Sequence, residues 1–327
     1  MEQTVKNEQQ TQKRSLTSFQ KRTITSVVYV VVWLALCALK WATPWGNVAG
    51  GWGALGFDAV FLAISVIGAY EFMRAIEKTN GGAFRFSTPQ RSFTIAFCAV
   101  TVPLYVIMEM IPQTQGSGML AVACAFIVYM LFLAATSVFD PEQSTVKGTI
   151  YCVFCMLYCG VFSTILAANN HLTVNSMAAI LVLSICPVLT DTGAYVVGSL
   201  LKKYIPFKLA PKLSPNKTVI GSIGGLIGGL LGGLMCYYVI FYLGAYMDAT
   251  TLVTRSTNFS PLLSFILVGL CSSVVCQIGD LFESAVKREC KIKDMGTLLP
   301  GHGGILDRFD STLFCGVVIL LSFGTII

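Results

Sequence analysis

Charge is what this sequence has least of. Only 12% of its 327 residues are Asp, Glu, Lys or Arg, against about 25% in an average soluble domain. Hydrophobic residues make up 55% and the mean hydropathy is +0.73. So few charges cannot cover so much apolar surface, which excludes a soluble enzyme, a disordered chain and a nucleic-acid binder. Histidine is scarcer still, with only His171 and His302, so imidazole chemistry has little to work with. No signal peptide is evident, because the first apolar run starts late and lacks a small-residue cleavage site. No tandem repeat is visible either. The 12 cysteines lie mostly inside apolar runs and read as small packing residues rather than a disulfide framework. Cys152, Cys155 and Cys159 share a helix face with no histidine near them.

What the chain does have is long apolar runs. They predict an all-α, polytopic membrane protein with about nine spans, near residues 24–42, 53–73, 93–111, 119–136, 148–168, 177–201, 219–246, 261–283 and 306–327. Nine spans of about 20 residues would use about 180 residues, in keeping with the apolar fraction. Residues 1–23 form a polar, basic tail. Residues 24–176 form a five-helix region and 177–327 a C-terminal region with the chemistry-bearing residues. Of 22 Lys and Arg, all but Lys40 and Arg255 fall in segments that share one side. This bias places the N-terminus inside and the C-terminus outside. The net charge of +6 then reflects basic loops facing anionic headgroups.

The span at 219–246 carries Gly221, Gly224, Gly225, Gly228, Gly229, Gly232 and Gly233. Overlapping small-xxx-small patterns of this kind predict close helix packing along one side. Acids at membrane depth are costly and mark functional candidates. Here they are Asp58, Glu71, Asp191, Asp280 and Glu283. Asp58 is expected to reach water at the outer end, and Glu71 to pair with Arg74 at i+3. His171 is expected to be an ordinary residue of an outer loop.

Asp191, Tyr195, Gly198 and Lys202 recur at helical spacing behind Pro187 and predict one polar stripe running to the inner end. The loop after it, Leu209–Thr218, is held by two prolines, and its Ser214, Lys217 and Thr218 offer donors for phosphate oxygens. A denser constellation follows. Asp280, Ser284, Lys287 and Arg288 share a helix face, Lys293 and Asp294 come next, and Pro300-Gly301-His302-Gly303-Gly304 forms a turn that admits close backbone approach. Asp307, Arg308 and Asp310 open the last helix. Carboxylates without thiol or imidazole partners suit a hard, oxygen-bound cation, and the interspersed Lys and Arg suit phosphates. Phosphoryl or nucleotidyl transfer is the chemistry indicated. A transporter would also bury acids, but it needs no such cluster, and no related halves are visible.

The run from Ser284 through Lys287-Arg288, Lys293-Asp294, Pro300-Gly301-His302-Gly303-Gly304 and Asp307-Arg308-Phe309-Asp310 resembles the signature of the phosphatidate cytidylyltransferases. The likeness extends upstream to Asp191-Thr192-Gly193-Ala194-Tyr195 and Leu213–Thr218. The chain departs from the family pattern at Ser199, Lys202 and Ile220. The resemblance implies transfer of CMP from CTP to phosphatidate in the cell membrane, at a site facing the cytoplasm. It implies Mg²⁺ held by Asp280, Asp307 and Asp310, with K⁺ a candidate second cation. Lys287, Arg288 and Lys217 would bind phosphates. A homodimer is suggested by the resemblance and by the Gly-rich span. The alternative acceptor is another lipid phosphate.

Overall fold

The computed structural model describes residues 18–42, 52–79, 84–172, 176–243, 260–299 and 303–326. It is a helical bundle. The helices are α1 (Ser18–Ala42), α2 (Trp52–Thr79), α3 (Thr88–Met110), α4 (Gly118–Phe139) and α5 (Val146–Asn170). They continue with α6 (Ser176–Leu201), α7 (Val219–Tyr238), α8 (Pro261–Glu289) and α9 (Leu306–Leu321). Eight of them are long and apolar enough to cross a bilayer. The ninth, α9, has 16 residues and runs on into a π-turn at Ser322–Ile326. A multi-pass membrane protein results, because only helices or closed barrels satisfy the backbone in hydrocarbon.

Local sequence sets several helix starts. Ser87 and Gln90 form a capping box at α3, and Thr145, Thr218 and Ser260 cap α5, α7 and α8. Each supplies a side-chain acceptor to an otherwise orphaned N–H. The observed helices bracket the expected spans closely. The main extensions are at the start of α1, at Ser18 rather than 24, and at the ends of α2 and α8, at Thr79 and Glu289 rather than 73 and 283. The last turns of α8 leave the apolar zone without losing helical hydrogen bonds. In α5 a π-turn at Met156–Val161 interrupts the helix.

Two expectations change. The Leu209–Thr218 loop is an antiparallel hairpin, Lys208–Ala210 (β1) with Ser214–Thr218 (β2). The glycines of α7 do not lie along one side. Gly221, Gly224, Gly228 and Gly232 abut α6 at Gly198, Val197, Leu189 and Cys186. Gly225, Gly229 and Gly233 abut α8 at Gln277, Ser273 and Phe265. Spacings of three and four alternate, so the small residues form two stripes and α7 is wedged between two neighbours. At Gly228 and Gly233 the nearest thing a Cβ would meet is a backbone carbonyl, of Leu189 and Phe265, and at the other five it is a side-chain atom. Packing of this closeness is how helices associate where lipid removes the hydrophobic drive.

One apolar core runs through the bundle on both sides of residue 176, from Phe57 and Phe61 to Leu313 and Ile319. Phe162 of α5 packs edge-on against Phe314 of α9, and Asn169 Nδ2 donates to the Gly316 carbonyl at 2.9 Å.

Candidate active site

The ends of α2, α6, α8 and α9 converge with the hairpin at one end of the bundle. Lys217, two residues before α7, forms an ion pair with Asp280 on α8. The Asp280 side chain is 33% exposed, so it faces an open groove. Asp191 on α6 is within electrostatic reach of Asp280, Asp310, Lys217 and Arg308. Four segments distant in sequence therefore bring three carboxylates and two cations together. Asp310 is buried and accepts from the Ser311 N–H at 2.7 Å. It lies beside Glu283 and Asp280.

Asp307 is engaged differently. Its Oδ1 accepts from Lys287 Nζ and from the Met295 N–H, both at 3.1 Å. Its Oδ2 accepts from the Met295 N–H at 2.9 Å and the Gly304 N–H at 2.7 Å. The carboxylate thus closes the 290–304 segment onto the first turn of α9, where the helix dipole also favours it. Gly303 has φ +85, a left-handed conformation that glycine adopts without cost. Leu299 N donates to the Gly303 carbonyl at 2.9 Å, and a β-carbon on Gly303 would meet the Asp307 carboxylate. Lys287 also bonds Glu283, one turn back on α8. Arg288 Nε donates to the Leu213 carbonyl at 3.1 Å and ties α8 to the hairpin.

The other expected residues fall around this centre. Ser284 is half-buried on α8, while Lys293 and Asp294 are exposed on the loop, with Asp294 beside Gly303. Arg308 is exposed within reach of Asp191. Ser214 opens β2 half-buried. Thr218 accepts from the Gly221 N–H at 3.1 Å, so its hydroxyl starts α7. Tyr195 is 76% exposed. The expected stripe splits there, because Gly198 packs against α7. His302 lies outside the described residues.

Sequence reasoning gave Glu71 the wrong partner, named Glu283 without a role and missed Tyr158. Glu71 does not pair with Arg74. Its carboxylate accepts from the Ile305 N–H at 3.2 Å and the Leu306 N–H at 3.0 Å, and so caps α9 from α2. Glu283 is fully buried, and its Oε1 has no hydrogen-bond partner. Tyr158, on the π-turn of α5, has a buried hydroxyl that is likewise unpartnered, near Asp310 and Glu283. Buried polar atoms of this kind are uncommon; the others among the described residues are on Ser163, Asn169, Thr190 and Ser272, one to a residue, whereas these two sit together beside Asp310. Only the number of acids in apolar segments hinted at Glu71 and Glu283. Nothing local distinguished Tyr158.

Oxygen donors alone make up this set, which fits a hard cation. Among the described residues no three such side chains gather closely enough to hold a metal ion by themselves; Asp280, paired with Lys217, and Asp310, bonded to the Ser311 N–H, are the two carboxylates here not tied to the loop. Asp307, as placed, has both oxygens committed to Lys287 and two backbone N–H groups.

The Cytidylyltransferase family's sequence model matches residues 20–325. A phosphatidate cytidylyltransferase of Staphylococcus haemolyticus is 34% identical over 212 residues, 64% of this chain and 73% of that protein. That of Bacillus subtilis is 38% identical over 189 residues, covering 58% and 60% respectively. That of Staphylococcus aureus strain COL is 33% identical over 209 residues, 64% and 72%. The match from the first helix to the last, over a bundle whose acids and cations converge on one groove, places the chain in the cytidylyltransferase family.

Proposed function

We propose that this chain is a CTP:phosphatidate cytidylyltransferase that makes CDP-diacylglycerol for phospholipid synthesis. The observation that carries the reading is the meeting of Asp191, Asp280 and Asp310 with Lys217 and Arg308 beside the Gly303 turn. In the reaction a phosphate oxygen of phosphatidate attacks the α-phosphorus of CTP. A new P–O–P bond forms, the α–β bond breaks, and pyrophosphate leaves with the electron pair. The nucleophile is already an anion, so no strong base is needed and catalysis rests on positioning and charge neutralisation.

Asp280 and Asp310 would hold Mg²⁺. Asp307 joins them only by giving up its loop bonds, and K⁺ remains the candidate second ion. Bound there, the metal supplies positive charge against phosphate oxygens. Lys217, Lys287 and Arg308 do the same for the oxygens that remain, by charge-assisted hydrogen bonds. Asp307 and Glu71 fix the turn that carries Gly303 and Gly304. Lys293 and Asp294 line its rim. Arg288 holds the hairpin, and with it Lys217, against α8.

The loop-charge bias supports placing the groove toward the cytoplasm, where CTP is. For a homodimer the two glycine stripes are no support, since α6 and α8 use both. The test is purified protein with CTP, Mg²⁺ and phosphatidate, scored by pyrophosphate release and by lipid product. A polyprenol phosphate or an ether-linked phosphatidate turned over faster than phosphatidate would move the assignment to that acceptor.

A further inference from the structure

The same end of the bundle carries a second concentration of charge, on another face of α2. A cavity of about 810 Å³ opens between the last turns of α2, the 84–87 segment and the first turn of α3. Arg74, Lys78, Arg85 and Arg91 line it, with one acid, Glu77. Glu77 is already spent: it accepts from Arg91 Nη1 at 3.5 Å and from the Phe86 N–H at 3.3 Å. Among the described residues Arg74, Lys78 and Arg85 have no acid within ion-pair distance. The cavity therefore keeps about three uncompensated positive charges.

Loop-charge bias puts cations on this side of the membrane, but it does not gather them from three segments around a hollow. An apolar surface adjoins the charge. The Arg91 guanidinium lies over the Tyr70 ring at 5.6 Å, and Tyr70 is 43% exposed, one turn before Arg74. Cations above an exposed aromatic ring suit an amphiphile better than a soluble anion.

We propose that this cavity binds the phosphate of an anionic membrane phospholipid, with the acyl chains passing Tyr70, at a site separate from the reaction groove. Guanidinium groups hold phosphate through paired N–H donors, and the cavity brings those of Arg74 and Arg85 to one hollow with the Lys78 ammonium. The neighbouring residue Glu71 takes no part in it, since its carboxylate caps α9 through the Ile305 and Leu306 N–H groups. The last turns of α2 therefore serve both the lipid site and the catalytic loop.

The test uses the full-length protein in zwitterionic nanodiscs doped with phosphatidylglycerol, released for native mass spectrometry. Wild type should retain a phosphatidylglycerol adduct. The triple variant Arg74→Gln, Lys78→Gln, Arg85→Gln should lose it at least tenfold. A control that removes three equally exposed charges elsewhere on this side, Lys202→Gln, Lys203→Gln, Lys208→Gln, should keep it. No adduct in wild type, or equal loss in both triples, would overturn the site and leave only a diffuse basic surface. Displacement of the adduct by millimolar inorganic phosphate would overturn the lipid and assign a soluble anion. Loss of the adduct in Asp280→Asn but not in the pocket triple would place the lipid in the reaction groove instead.

Discussion

The two ends of the bundle each hold a buried polar cluster, and they differ in how completely they are satisfied. At the end away from the hairpin, Asp58 accepts from Asn170 Nδ2 at 2.9 Å and pairs with His171 Nε2 at 2.7 Å. Lys40 Nζ reaches the Asn170 side chain at 2.8 Å and its carbonyl at 2.9 Å. Asp58 is 6% exposed and His171 4%, so neither meets the water that the sequence had promised. These four side chains all have partners and tie α1, α2 and α5 together, with the Asn169 Oδ1 beside them the one orphaned oxygen of the neighbourhood among the described residues. At the other end, carboxylates outnumber their partners, Glu283 and Tyr158 keep an orphaned oxygen each, and Asp280 stands open to the groove. A saturated network holds a fold, whereas an unsaturated one waits for a ligand.

That contrast is broken most severely at Asp280. Asp280→Asn should insert normally but fall more than a hundredfold in pyrophosphate release. Turnover above about a tenth of wild type at saturating Mg²⁺, a penalty below about 1.4 kcal/mol, would remove Asp280 from the cation site. Next comes Lys287→Ala, which strips Glu283 and Asp307 of their shared cation. A ten- to hundredfold loss in kcat/KM is expected, since charge-assisted hydrogen bonds are worth about 1.5–3 kcal/mol. Its dependence on Mg²⁺ concentration should stay near wild type, and a shift as large as that of Asp280→Asn would make it part of the cation site.

Smaller still is Glu71→Gln, which keeps the size of the cap but removes its charge. A roughly three- to tenfold drop in turnover is expected with substrate KM values little changed, following the usual worth of a helix-end charge, about 0.3–2 kcal/mol. Unaltered turnover would reduce Glu71 to packing. The mildest effect on catalysis belongs to the saturated end. Asp58→Asn should lower the unfolding midpoint in detergent, by about 1–3 kcal/mol of lost hydrogen bonding and charge pairing, while turnover per folded molecule stays at wild type. A large catalytic defect there would erase the distinction between the two ends.

The helices were legible because each apolar run is long enough to span and has no alternative structure in lipid. The meeting of Asp191, Asp280, Asp310, Lys217 and Arg308 was foreshadowed by motifs whose spacing already put them near helix ends on one side. What stayed hidden depended on partners far along the chain. Glu71 caps a helix 234 residues away, and its neighbour Arg74 offered a plausible local partner. The Asp58–His171 pair required knowing that the starts of α2 and the end of α5 adjoin. The hairpin was masked by Pro211 and Pro215, which read as a loop. The second stripe on α7 was hidden for a different reason: glycines at mixed spacings of three and four do not announce which face each belongs to.

Labelling tests the direction of the bundle rather than its contents, and Cys290 bears on its design. That thiol is 2% exposed, and burial pushes it above its usual range. A cysteine placed at Lys291 should therefore dominate labelling by an impermeant reagent in opened cells. Labelling of it in intact cells would turn the groove away from the cytoplasm.

The wedged helix α7 works as a gauge block. Asp191 rides on α6 and Asp280 on α8, and the distance between those two helices equals the thickness of a bare backbone. A β-carbon at Gly228 would meet the Leu189 carbonyl of α6, two residues before Asp191, and one at Gly233 would meet the Phe265 carbonyl of α8. A backbone carbonyl cannot turn aside as a side chain can, so a single methyl at either glycine would touch no substrate and yet push the two jaws of the groove apart. The calibration of the reaction centre is thus stored in the apolar interior, in atoms that are missing from it.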